Sequence, residues 1–224
     1  MRQSGLPLIQ TSENTIVENR VLRNTYLLLS VTLLFSAAMS WYAMSIDARP
    51  VGFIVLLAGM FGLYFLTIAT RNSGWGILSI FAYTGFMGYV LGPMLSFYIK
   101  NFANGPQLIA TALGATGVIF VGLSAYTLVT RKNFSYLGGV LAIGVLLAFI
   151  VGIGAMVFHL PMLQLVISGA FALISAGYIL FMTSQIVHGG ERNYIMATIV
   201  LYISIFNLFV SLLNILGALS GNRN

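Results

Sequence analysis

The side chains with most scope for chemistry lie inside an apolar run. Between Tyr194 and Ala218, Ser204, Asn207, Ser211 and Asn214 are spaced three, four and three residues apart. On a helix they share one face. Hydroxyls and amides in an apolar setting have two uses. They hydrogen-bond across to neighbouring helices, at about 0.6 kcal/mol per contact, or they line a polar path for water or ions. The first is the commoner use of such a stripe. Asn207 is the member best suited to the second, because an unpaired amide at mid-membrane depth is costly.

Catalytic chemistry finds little to work with. The four carboxylates are Glu13, Glu18, Asp47 and Glu191, and there is no cysteine. Disulfides, cysteine metal ligands and thiol catalysis are therefore excluded. His159 and His188 are the only histidines. They fall at the ends of different apolar runs, expected on opposite sides of a membrane, and neither has a carboxylate at ligand spacing. Ser124 and Ser168 lack a histidine partner at their depth, and no pair of intramembrane aspartates exists. HExxH, GxSxG and phosphate-cradling glycine loops are absent. The sequence reads as a non-enzyme with no catalytic residue, cofactor site or metal site.

The elements that must position the polar stripe follow from composition. Of 224 residues, 59% are hydrophobic and 6% charged, where soluble domains carry roughly 25% charge. The mean hydropathy is +0.98. So few charges cannot cover a water-soluble surface, and disorder needs the opposite composition. The fold class is all-α: a polytopic membrane bundle whose partner is the lipid bilayer. The net charge of +6 then reads as topology information rather than as a nucleic-acid footprint.

About 20 apolar residues cross a hydrocarbon core. Seven stretches qualify, at about 25–44, 51–70, 74–99, 107–130, 136–158, 162–187 and 194–218, and none contains Asp, Glu, Lys or Arg. Residues 1–24 are too polar for a cleaved leader and read as a mostly flexible tail, with a helical turn or two near Ile16 to Arg23. Residues 219–224 form a short C-terminal tail. Pro50, Pro106 and Pro161 precede apolar runs, where proline suits the first helical turn. The links are short enough to make sequential helices antiparallel neighbours. Arg2, Arg20, Arg23, Arg71, Arg131, Lys132 and Arg192 collect on one side, against Arg49, Lys100 and Arg223 on the other. That asymmetry predicts a cytoplasmic N-terminus and an external C-terminus.

In the third span, Gly85, Gly88 and Gly92 share a face, which permits close helix contact. Pro93 should kink that helix, so Gly92 and Pro93 form a candidate hinge. Gln185, near the end of the sixth span, is a lone polar residue. Trp41, Tyr42, Trp75, Tyr98, Tyr126, Tyr136 and Tyr194 fall near span ends and fit an aromatic belt.

Four blocks carry a resemblance: VLRNTYLLLSVTLLFSA (Val21 to Ala37), AYTGFMGYVLGP (Ala82 to Pro93), TRKNFSYLGG (Thr130 to Gly139) and HGGERNYIMATIVLYISIFNLFVSLLNILG (His188 to Gly217). They resemble the transmembrane Bax inhibitor motif family, most closely its bacterial YccA-type branch, over nearly the whole chain from Val21. The resemblance implies a seven-helix bundle of the bacterial inner membrane, with the last helix central and no cofactor. It implies association with the membrane AAA+ protease FtsH and its HflK–HflC partner complex. The chain would then act as a regulator or slowly degraded substrate, with its N-terminal tail mattering for degradation. Other members of the family are pH-sensitive calcium leak channels with one carboxylate on each of the last two helices. Those positions fall on Met182 and Ser204 here, and neither side chain titrates. The alternative function, a calcium or other cation leak channel or transporter, would therefore lack the carboxylate pair used for pH gating.

Overall fold

A computed structural model describes the backbone of residues 6–221 except His159, and the side chains of residues 19–221 except Met156, His159 and Pro161. His159, Arg2 and Arg223 thus lie outside the described residues. Seven helices follow one another: α1 Leu6–Ser45, α2 Phe53–Thr70, α3 Trp75–Asn101, α4 Gly105–Thr130, α5 Leu137–Val157, α6 Pro161–Val187 and α7 Tyr194–Gly221. All seven are long and apolar enough to cross a membrane, α1 through its segment Asn19–Ser45. The described residues contain no strand.

Local chemistry sets the ends. Pro106 and Pro161 stand in the first turns of α4 and α6, where a missing N–H costs nothing. Pro50 does not join α2, because Gly52 caps that helix with an extended backbone (φ −60, ψ 149) and separates it from the proline. Asn193 starts α7: its Oδ1 accepts the N–H groups of Ile195 at 3.0 Å and Met196 at 3.1 Å. This is side-chain capping of an exposed helix start. The same side chain donates to the Arg71 carbonyl and to Asn72 Oδ1, both at 2.9 Å, and so ties α7 to the α2–α3 link. After α6, Gly189 takes a left-handed φ of 68, which glycine adopts without strain.

Two expectations need correction. The mostly flexible tail before Thr25 is helical from Leu6 onward. A transmembrane segment is an existing helical nucleus, and adding residues to it costs far less than starting a new helix; Pro7 stands in the first turn. Sequential helices are not all neighbours either. α1 packs on α3 and makes no contact with α2, while α5 packs on α6 and makes none with α4, among the described residues. A link of six or seven residues reaches about 20 Å at 3.3–3.6 Å per residue. That is enough to step past one intervening helix at an interaxial spacing of about 8–10 Å.

The core gathers around α7, which packs against α1, α2, α3, α4 and α6. Leu201, Tyr202, Leu208 and Leu213 on α7 are buried. The α1–α3 seam is held close by glycine. A Cβ on Gly88 would collide with the backbone carbonyl of Ser36; one on Gly92 would lie 2.5 Å from Ala43 Cβ, and one on Gly85 2.7 Å from the Phe35 ring. Pro93 lies inside α3, yet the helix is unbroken from Trp75 to Asn101.

Candidate functional site

The polar face of α7 does not present four free groups to a common path. Ser204 is buried, and its hydroxyl donates to the Val200 carbonyl of its own helix at 2.8 Å. Asn214 accepts a hydrogen bond from the Tyr98 hydroxyl of α3 at 3.1 Å, linking two helices. Ser211 is buried, while Asn207 is half-buried. Met182 of α6 lies in the buried cluster that also holds Ile199, Leu201 and Tyr202. Met182 is thus a packed thioether, and the Ser204 hydroxyl is already bonded to its own helix.

The polar centre of the bundle is instead Tyr202, which the sequence reading did not single out. Its side chain is 1% exposed. Its hydroxyl lies 2.6 Å from Ser36 Oγ of α1 and donates to the Thr84 carbonyl of α3 at 3.2 Å. Three helices therefore meet at one oxygen. Tyr202 also packs edge-on to Tyr83, with ring centroids 6.1 Å apart. A tyrosine in an apolar run reads as an apolar side chain, which hid it. The available signal was on α1, where Thr25, Thr32, Ser36 and Ser40 recur on one face. Replacing Tyr202 with Phe keeps the ring and removes the oxygen. The expected cost is about 1–3 kcal/mol, because Ser36 loses a buried partner. It should appear as a lowered unfolding midpoint in detergent; an unchanged midpoint would show that the node contributes nothing.

A second polar cluster closes one end of the bundle. Ser184 Oγ accepts the Phe134 N–H at 2.9 Å and donates to the Lys132 carbonyl at 3.2 Å. His188 places Nδ1 2.8 Å from the Ser184 carbonyl and Nε2 3.0 Å from the Arg131 carbonyl. Gln185 donates from Nε2 to Ser135 Oγ at 3.2 Å. The end of α6 is thereby fastened to the α4–α5 link, and both His188 and Gln185 serve that joint. Beside it, the Lys132 ammonium sits 5.7 Å from the Tyr126 ring centre. A hydrogen bond to Tyr126 holds the Lys132 pKa above its usual value.

At the other end, Lys100 Nζ pairs with Asp47 Oδ1 at 2.5 Å. Both side chains are largely exposed, so the pair contributes little to stability. Among the described residues no three His, Cys, Asp or Glu converge to hold a metal ion. Ser168 donates to the Gln164 carbonyl at 3.0 Å, and the buried Ser124 hydroxyl has no partner. What this arrangement can do is hold helices in register through neutral hydroxyls at the centre and position charges at the ends.

Comparison with known proteins assigns the family. The model for "Inhibitor of apoptosis-promoting Bax1" matches residues 18–221. The chain is 51% identical over 199 residues to an Escherichia coli K12 protein named "Modulator of FtsH protease YccA", covering 89% of this chain and 90% of that protein. The same figures hold for a relative from another Escherichia coli strain, named "Inner membrane protein YccA". An uncharacterized protein of Pseudomonas aeruginosa is 49% identical over 206 residues, covering 90% of each chain. With seven apolar helices, a family match along nearly its whole length and half of its aligned residues shared with these relatives, the chain belongs to the Bax inhibitor family as a multi-pass inner-membrane protein.

Proposed function

We propose that this protein binds the membrane AAA+ protease FtsH and modulates it, as a regulator or as a slowly degraded substrate. The observation that carries the reading is 51% identity, along 89% of the chain, to a protein named as a modulator of that protease. The proposed orientation puts the N-terminus in the cytoplasm and the C-terminus outside, supported by seven basic residues on one side against three on the other.

The mechanism has two physical parts. α1 continues from its apolar segment at Asn19 back to Leu6, which offers a segment outside the span for the enzyme to grip. Behind it stands a seam whose backbones approach through Gly88 and Gly92 and a core knotted at Tyr202. That core resists extraction and keeps the enzyme occupied. The leak-channel alternative is weaker, because Met182 is packed in the core and the Ser204 hydroxyl is bonded to its own helix.

The test is capture of the tagged protein from native inner membranes after crosslinking. FtsH is expected in the eluate, together with HflK–HflC. Absence of FtsH from the crosslinked eluate would sink the proposal.

A further inference from the structure

A groove opens on the lipid-facing side of the bundle at the end where α1 enters the bilayer. Leu27, Leu28 and Val31 of α1 and Phe81 of α3 form its walls. Asn24 and Tyr194 close its polar end. It is a shallow, open groove of about 420 Å³. Its polarity changes along the helix axis. From Asn24 to Val31 is about 10 Å at 1.5 Å per residue, and over that distance the lining passes from amide to aliphatic. Leu27 is 60% and Val31 51% exposed, so the walls face hydrocarbon.

Among the described side chains, the charge around the polar end is mainly basic. Arg20 is exposed and precedes Asn24 by four residues, so it stands one turn above it on the same helix face. Arg23 is exposed and adjoins Asn24. Arg192 precedes Tyr194 by two residues, and the Asn193 amide holds the Arg71 carbonyl beside them. The carboxylate at this end with a described side chain is Glu191, and its Oε1 already accepts the Asn193 N–H at 2.8 Å. At the opposite end Asp47 is paired with Lys100, which leaves Arg49 as the one further base close to the α1 terminus among the described residues.

We propose that this groove binds one anionic phospholipid, with an acyl chain lying along Leu27, Leu28, Val31 and Phe81 and the phosphate held by Arg20 and Arg23. The apolar walls match the chain. The amide and tyrosine hydroxyl match the glycerol and ester level, where tyrosine is favoured. The arginines match a phosphate, which their planar guanidinium groups recognise well, and basic pockets between helices suit such head groups.

Native mass spectrometry of the full protein, titrated with phosphatidylglycerol or phosphatidylethanolamine, reads the preference directly. Phosphatidylglycerol is expected to be retained more strongly. Arg20→Gln together with Arg23→Gln should weaken it by about fivefold per arginine lost and weaken phosphatidylethanolamine less, because its own ammonium already offsets its phosphate. Both substitutions are on an exposed face, and an unchanged melting curve confirms the fold. Val31→Trp, which fills the groove, should reduce retention without altering charge. Equal retention of the two lipids, an undiminished preference in the double variant, or full retention in Val31→Trp would each overturn the site. So would displacement by soluble glycerol phosphate at matched concentration, since that would mean a phosphate site without a chain site.

Discussion

A protein carrying Gly88→Leu is expected to lose most of its stability and to accumulate poorly. The Cβ alone would collide with the backbone carbonyl of Ser36 and lie 2.8 Å from Ser36 Oγ. A carbonyl fixed in α1 has no alternative rotamer, so the two helices must separate. Overpacking a tight core costs about 1–3 kcal/mol and sometimes more, and leucine adds three further carbons to the same gap. Separation would also pull Ser36 from the Tyr202 hydroxyl, now 2.6 Å away. The combined loss is a large fraction of the roughly 5–15 kcal/mol that typically holds a domain folded. The paired control is Gly114→Ala, where a Cβ would meet nothing within 4 Å. There, alanine should stabilise α4 by about 0.5–1 kcal/mol. Unfolding midpoints in detergent check both, and a Gly88→Leu variant as stable as the parent would refute the account of the seam.

The second large effect concerns turnover. Removing residues 1–18 is expected to lengthen the half-life in cells several-fold where FtsH is the protease responsible. A AAA+ enzyme pulls on backbone, and a helical segment resists that pull through its own hydrogen bonds. Helices shorter than about 12–15 residues are marginal alone. The deletion retains Arg20 and Arg23 beside the first span, so the charge bias proposed to fix topology survives. It also retains the span beginning at Asn19. Pulse–chase labelling with and without FtsH gives the answer. An unchanged half-life of the shortened protein would remove residues 1–18 from the mechanism.

Much of the architecture was legible in the sequence because the bilayer imposes a simple rule. Each run of about 20 uncharged apolar residues became a helix, and Gly85, Gly88 and Gly92 marked the face that meets α1. The order of packing was less legible. Nothing in the link between Ser45 and Phe53 says that α3 will lie between α1 and α2, because a seven-residue link fits either arrangement. Tyr202 was missed for a related reason. Hydropathy treats it as one more apolar ring, and its importance lies in a contact with Ser36, 166 positions away. The α7 stripe misled in the opposite direction. Ser204, Asn207, Ser211 and Asn214 share a periodicity, yet Ser204 satisfies itself within its helix while Asn214 reaches α3. Periodicity identifies a face but leaves open which groups on it find partners, since that depends on neighbours distant in the chain.

The central position of α7 also has a consequence for assembly. The helix that touches five of the other six is the last of the seven to be made. At synthesis rates of about 5–20 residues per second, roughly 7–30 s separate the completion of α1 from the appearance of α7. Throughout that interval Ser36 has no Tyr202 to bond, and α4 and α6 lack the α7 surface against which both pack. The earlier helices must wait in the bilayer as an incomplete ring. Any chain cut short before Tyr194 keeps most of its hydrophobic segments but lacks the element around which they close. The appearance of α7 and the closure of the core are thus the same event, and that helix acts as the keystone.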